Sequence, residues 1–395
     1  MPDQLGMLDS NAVNLSILKE RAYNHRWAEV PDGVIPLTAA DPDLPCAPAI
    51  SEAIIRYSKD RYFSYGPTEG LPKFKEAVAK SYLSKRNVNV APANVMAVDT
   101  AAYGIYLTCK TLLTKGNEVI IFNPVDFLFR YGIEAAGAKA IPYAIPQSPG
   151  HVDKDKIEGL ITPRCKLLCL CNPLNPTGKV FSPEELQIFV DLAEKHDLYI
   201  LSDEIWSDIV FQPNVYTSIA SLSEQVFNRT IIVNGFSKSY GLAGLRIGSL
   251  IAPTQALFER LLQTSRHDST VHGANTLGQV AAIAALEDSQ EWLQAFVMHL
   301  HEMRTLTVNR LNALPGITCQ APEGCYLTFP DVSGTGLSSV ALQEKILKEG
   351  RVMIVPGLDR WFGDGAKNHC RISFATSAEI LNEAFDRIES VLSSY

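Results

Sequence analysis

The sequence predicts an α/β protein: a large domain on a mostly parallel sheet with helices on both faces, and a smaller α+β domain from the N-terminal arm and the C-terminal segment. Three observations carry this. Short apolar runs such as Val95-Met-Ala-Val98 and Leu167-Leu-Cys-Leu-Cys171 lack the polar alternation of a strand with one wet face. Amphipathic helical patterns separate these runs, as in a parallel sheet covered on both sides. At 395 residues the chain is long enough for two domains and a large core. The expected boundaries give an arm at 1–45, a large domain at 46–290 and a C-terminal small domain at 291–395.

Taken in order, residues 1–35 read as an irregular arm with one short helical piece. The prolines and aspartates of 34–45 force turns. A helix at 48–57 puts Ile50, Ile54 and Tyr57 on one face. The loop 62–70 is punctuated by Gly66-Pro67 and Gly70, and an amphipathic helix at 72–86 follows it. Strands are expected at 95–98, 118–122, 139–143, 166–171, 198–202, 230–234 and 246–251, with helices between them. The helix at 183–196 carries a capping box, Ser182-Pro-Glu-Glu185, with proline at its first position. A long helical pattern from residue 291 stops at Leu314-Pro-Gly316. Beyond it come strands at 325–329, 352–355 and 370–374, a helix at 338–348, and a final helix capped by Thr376-Ser-Ala-Glu379.

The formal charge is −8 with no basic block, which argues against a nucleic-acid surface. No apolar run reaches the length of a membrane span. The first residues lack the basic and apolar regions of a signal peptide, so a cytoplasmic location is the default. Three of the eight cysteines, Cys165, Cys169 and Cys171, crowd one apolar run. Without a C-x-x-C pair they read as buried cysteines of a central strand, and no metal site is expected.

The stretch Asn234-Gly-Phe-Ser-Lys-Ser-Tyr-Gly-Leu-Ala-Gly-Leu-Arg-Ile-Gly248 joins two apolar runs, and its glycines mark a tight loop leading back into the sheet. Lys238 stands there in apolar company, with Arg246 eight positions on. A desolvated lysine near another cation has a lowered pKa, so Lys238 is a candidate amine nucleophile able to condense with a carbonyl. Arg246 is a candidate phosphate clamp. Asp203 ends an apolar run, which puts it at the carboxyl edge of the sheet, where open α/β sheets bind ligands. Asn172-Pro-Leu-Asn-Pro-Thr-Gly178 also follows an apolar run; its two Asn-Pro steps and its glycine enforce a rigid non-helical loop.

The lysine stretch is similar to the lysine loop of the class I/II aminotransferases, the fold-type I enzymes of the aspartate aminotransferase superfamily that use pyridoxal 5′-phosphate. Ser202-Asp-Glu-Ile205, the Asn172–Gly178 loop and His369-Cys-Arg-Ile-Ser-Phe-Ala375 resemble further motifs of that family, in family order. The resemblance implies that Lys238 is catalytic and carries the cofactor, and that Asp203 keeps the pyridine nitrogen protonated. It implies that Asn175 bonds the ring oxygen O3′ and helps hold the substrate carboxylate. Arg371 takes the substrate α-carboxylate, where a planar fork suits the ligand. The phosphate sits at the start of the helix in Asp99-Thr-Ala-Ala-Tyr-Gly104, on the backbone N–H groups of Ala101 and Ala102, with Ser237, Arg246 and Tyr65 completing the cradle. The resemblance also implies that Tyr65 reaches in from the neighbouring subunit, and so a homodimer with active sites at the interface.

The chain departs from the family pattern at four places. Trp206 stands where tyrosine commonly contacts the cofactor, and an indole only donates. Gly235 replaces a common serine, and Thr100 a common glycine. Asp126 occupies the position of the ring-stacking aromatic, so Phe127 or another residue is expected to stack. An acidic group there would also favour a cationic substrate side chain. Arg266, His267, Asp268 and His272 read individually as surface polar residues, although the family's equivalent region lines the site.

The leading functional expectation is an aminotransferase that moves an amino group between an L-amino acid and a 2-oxo acid by ping-pong chemistry. The alternative is a carbon–sulfur β-lyase or a related elimination or cyclisation enzyme. Residues 35–43 and Asp203-Glu-Ile-Trp-Ser-Asp208 look similar to the cystathionine β-lyase-like branch. A non-catalytic binding protein of the same fold is the third reading.

Overall fold

The computed structural model describes residues 13–146 and 150–393, so the first twelve residues of the expected arm lie outside the described ones. The strand β1 (Ile35–Pro36) belongs to a small peripheral pair. The central sheet has seven strands: β2 (Val95–Val98), β3 (Glu118–Asn123), β4 (Lys139–Ala144), β5 (Cys165–Cys171), β6 (Tyr199–Asp203), β7 (Thr230–Gly235) and β8 (Gly248–Ile251). Their order is β2-β8-β7-β6-β5-β3-β4. Only β8 runs backwards, pairing antiparallel with both β2 and β7. The carboxyl ends of the other six strands therefore share one edge with the amino end of β8.

Both faces of the sheet are covered, and the side chains alternate between two cores. Val95, Ala97, Ile232 and Ile251 pack into one, beneath the helices Pro72–Arg86 and Thr276–Asp288. Met96, Val98, Ile231, Val233 and Leu250 pack into the other, beneath Ala101–Leu112. The cysteine-rich strand β5 lies inside the sheet between β3 and β6, and its three cysteines are buried. The helix Pro183–Lys195 starts on the expected capping box: Ser182 Oγ accepts from Glu185 N at 3.2 Å, and Glu185 Oε2 accepts from Ser182 N at 3.1 Å.

The 24-residue helix Gln290–Ala313 leads into the C-terminal segment. There β9 (Leu327–Thr328), β11 (Val355–Pro356) and β12 (Cys370–Ser373) form an antiparallel sheet in the order β11-β12-β9. β10 (Val352–Met353) pairs in parallel with β1, tying the start of the chain to its end. Among the described residues, no helix is long and apolar enough to cross a membrane.

Several local expectations change. The strand expected at 352–355 is two short strands in different sheets, because the chain crosses from β1 to β12 within four residues. The strand expected at 246–251 begins at Gly248, since Arg246 has a left-handed φ of 49°. The helix expected at 338–348 is regular over Ser339–Lys345 and then widens over Ile346–Gly350. The last helix, Ala378–Ser393, takes its cap from Ser377, whose Oγ accepts from Ile380 N at 3.4 Å. Thr376 is buried instead.

Gly248 shows how tightly the edge is packed. A Cβ there would sit 2.7 Å from Asn234 O and 3.0 Å from Ala101 N, so β8 can start against the helix N-terminus only without a side chain. Gly248→Ala is expected to cost about 1–3 kcal/mol through overpacking. A urea unfolding midpoint equal to that of the unsubstituted protein would remove this argument.

Candidate active site

A cavity of about 310 Å³ opens at the shared edge of the sheet. Every strand that ends there except the outermost, β4, contributes residues. After β2, Thr100 is fully extended (φ −161°, ψ 160°), so the position does not require glycine, and its side chain caps the helix by accepting from Tyr103 N at 2.9 Å. Ala101 and Ala102 follow at the cavity wall, in the first turn, where N–H groups have no partner within the helix. After β3 comes Asp126, and after β5 the loop carrying Asn175. These two strands are neighbours whose connections leave in opposite directions, and a crevice opens between their carboxyl ends.

The Asn175 loop is pinned from both sides. Asn172 accepts from Phe181 N at 3.2 Å and donates to Thr217 O at 3.2 Å. Gly178, at φ +74°, closes the loop where a Cβ would lie 2.4 Å from Pro322 Cβ. Asp203 ends β6 with its side chain in the cavity, and its Oδ1 accepts from Ile205 N at 3.2 Å. Glu204 turns the other way, into a buried network with Ser202, Ser218 and Arg86. Trp206 lies on the cavity wall, edge-on to Tyr326 at 4.7 Å between ring centres.

Beyond β7 come Ser237 and Lys238. Lys238 Nζ donates to Ala40 O at 2.6 Å and lies 5.7 Å from the centre of the Trp206 ring. Tyr326 donates its hydroxyl to the same carbonyl at 3.0 Å. Arg246, just ahead of the reversed β8, reaches the cavity from the same edge. Arg371 comes in on β12: its Nη1 donates to Asn175 Oδ1 at 3.3 Å and its Nη2 to Thr38 O at 3.3 Å, while Nε is buried without a partner.

The cavity thus brings together Ala101, Ala102, Asn175, Asp203, Trp206, Ser237, Lys238, Arg246 and Arg371. Tyr65 is not among them. It is 87% exposed, with its ring 5.0 Å from that of His272. Phe127 also lies outside, edge-on to Trp361 at 5.2 Å, because the chain after Asp126 turns Leu128 and Phe129 to the cavity instead. In the 266–272 segment, Arg266, Asp268 and His272 are exposed as read, whereas His267 is fully buried against Tyr103. The carbonyls of Thr38 and Ala40 and the hydroxyl of Tyr326 were not legible as site groups. A backbone acceptor has no signature in composition, and Ala40 is 198 positions from the lysine it holds.

Burial dominates the electrostatics. It lowers the pKa of Lys238 below the usual lysine value, and nearby Arg371 lowers it further against Asp41, Asp126 and Asp203. Burial pushes Asp203 up to about 7, with Asp126 and Glu204 adding to the rise and the Ile205 N–H and Lys238 opposing it. Asp126 is also raised by burial, against Arg371, the Leu128 N–H, Lys238 and Asn175. A buried carboxylate with only one N–H partner fits a ligand that brings its own protonated nitrogen. Free helix N–H groups beside Ser237 and Arg246 fit a phosphate. This donor set matches pyridoxal phosphate.

In the cofactor-free protein the folded state holds the Asp203 proton more tightly than the unfolded chain does. Stability from this group is therefore full below about pH 4 and lost as pH rises to about 7. Cofactor-free Asp203→Asn is expected to exceed the unsubstituted protein at about pH 8 by on the order of a few kcal/mol, and to show no such gain near pH 4. Denaturant unfolding at both pH values checks this; a gap independent of pH would refute it.

The family model for aminotransferase class I and II matches residues 32–388. An aspartate aminotransferase from Pyrococcus horikoshii is 32% identical over 379 residues, covering 95% of this chain and 94% of its own length. Aromatic-amino-acid aminotransferase 2 of Thermococcus litoralis is also 32% identical, over 91% of this chain and 92% of its own. A pyridoxal-phosphate-bound putative aminotransferase from Clostridium difficile 630 superimposes with a TM-score of 0.88 at 25% identity, covering 97% of this chain and 99% of that one. With the cavity's donor set and these relatives, the chain belongs to the class I and II aminotransferase family, and it is a pyridoxal-phosphate-dependent aminotransferase acting between amino acids and 2-oxo acids.

Proposed function

We propose that Lys238 holds the cofactor by its ε-amine and, once an amino acid displaces it, moves the proton of the substrate α-carbon. The observation that carries this is the meeting of Lys238, Asp203, Asn175 and Arg371 in one cavity from four separate loops and strands. The lowered pKa of Lys238 suits both tasks, since a neutral amine is the form that attacks a carbonyl or accepts a proton. When bound, pyridoxal phosphate supplies an electron-poor ring that stabilises negative charge at the substrate α-carbon as long as its ring nitrogen stays protonated. Asp203 keeps that nitrogen protonated; a cation brought to its carboxyl reverses the effect of burial. Ala101 N–H, Ala102 N–H, Ser237 and Arg246 hold the phosphate. Trp206 contributes an N–H donor and an apolar wall.

Arg371 takes the substrate α-carboxylate, and Asn175 steadies its guanidinium. The unpartnered Nε of Arg371 supports this, because a buried donor without an acceptor is costly unless a ligand completes it. Tyr65 completes the phosphate cradle of a second subunit in a homodimer. Its exposure beside Tyr62 and Phe63, which are also exposed, supports a surface that a second copy covers.

Borohydride treatment of holoenzyme is expected to leave the reduced cofactor on the peptide bearing Lys238. Lys238→Ala is expected to lose 2-oxo-acid-dependent amino transfer by about a thousandfold or more. Cofactor found on another lysine would overturn the assignment. Separately, Tyr65→Phe is expected to weaken cofactor binding about tenfold, the loss of one hydrogen bond to a charged group. Equal affinity in equilibrium dialysis would remove Tyr65 from the cradle.

A further inference from the structure

We propose that Asp126 makes this enzyme selective for amino donors with a cationic side chain, an amine or a guanidine. The proposal rests on Arg371 as the holder of the substrate α-carboxylate. Asp126 and Arg371 form part of the wall between the cofactor cavity and an outer cavity of about 460 Å³, and both line each of the two. Asp126 Oδ2 lies 4.0 Å from Arg371 Nη1, and the Asp126 side chain is 17% exposed. Asn175 bridges the pair: its Nδ2 donates to Asp126 Oδ2 at 2.8 Å and its Oδ1 accepts from Arg371 at 3.3 Å.

Charge balance decides what fits. Asp126 and Arg371 sum to zero. A substrate α-carboxylate on Arg371 leaves one net negative charge in a site shielded from water, with two carboxylates around one guanidinium. A side-chain cation restores neutrality, and a second carboxylate doubles the excess. Among the described residues that line the outer cavity no further cation is free to offset this: Arg26 is fully buried against Asp43, and His25 pairs with Glu29 at 3.0 Å, while Arg360 lies outside the lining with its guanidinium over the Trp361 ring at 5.3 Å. Burial raises the protonation range of Asp126, and Arg371 and Lys238 oppose that rise, so a further cation would favour its charged form. Phe127, about one-third exposed on the outer wall, offers a ring for the methylenes or the cation of such a side chain.

The test uses holoenzyme and three acids that carry no primary amine and so cannot condense with the cofactor: 4-guanidinobutanoate, pentanoate and pentanedioate. Calorimetry is expected to give 4-guanidinobutanoate at least about tenfold tighter than pentanoate, with pentanedioate weakest. Asp126→Asn, which keeps the shape and an acceptor for Leu128, is expected to bring the first two within about twofold and to improve pentanedioate. Asp126→Glu is expected to keep the original order. Equal binding of the three acids by wild type, or an unchanged order in Asp126→Asn, overturns the proposal. Arg371→Gln is expected to weaken all three acids alike. If it does not, the α-carboxylate reading fails on its own, whatever Asp126 does.

Discussion

Burial sets the protonation of the cavity before any ligand enters. Lys238 is pushed towards its neutral amine and Asp203 towards its neutral acid, two groups that in water would be oppositely charged at neutral pH. Each is thereby poised for a ligand with the complementary demand: an electrophilic carbonyl for the amine, a basic ring nitrogen that can take up a proton for the acid. The rest of the site keeps this pair dry and in place. Trp206 and Tyr326 pack together beside it, and the Asn172–Gly178 loop is fastened at both ends.

The sheet makes that placement possible. Because six strands run together, the carboxyl ends of five of them deliver Ala101, Asp126, Asn175, Asp203 and Lys238 to one edge, although these residues are scattered along the sequence. The reversed β8 is the complement: a strand running the other way begins at that edge, so Arg246 arrives there just before it. β12 then brings Arg371 from the C-terminal sheet, and Thr38 and Ala40 from the opening segment accept from Arg371 and Lys238.

Much of this was readable in advance, for physical reasons. Long apolar strands and capped helices mark themselves in composition and spacing, and most central elements agree to within a residue or two. Asn175 and Lys238 stand in loops whose prolines and glycines are visible, and Asp203 is marked by its place at the end of an apolar run. Strand direction is not: nothing in Gly248-Ser-Leu-Ile251 says that it runs against its neighbours. Strands of two residues, such as Val352–Met353 and Val355–Pro356, are too short for a period to separate. His267 read as a surface residue because a polar sequence around it hides its contact with Tyr103, which depends on tertiary packing alone. Thr100 looked like a misfit for a phosphate loop, yet its extended backbone needs no glycine and its hydroxyl caps the helix.

The carbonyl of Ala40 accepts from two donors, the Lys238 amine and the Tyr326 hydroxyl. When the amine turns away to engage a ligand, the oxygen keeps the phenol, so no buried acceptor is stranded. In the proposed role of Lys238, engagement and release of the lysine would therefore alternate while the backbone around residue 40 stays anchored by Tyr326.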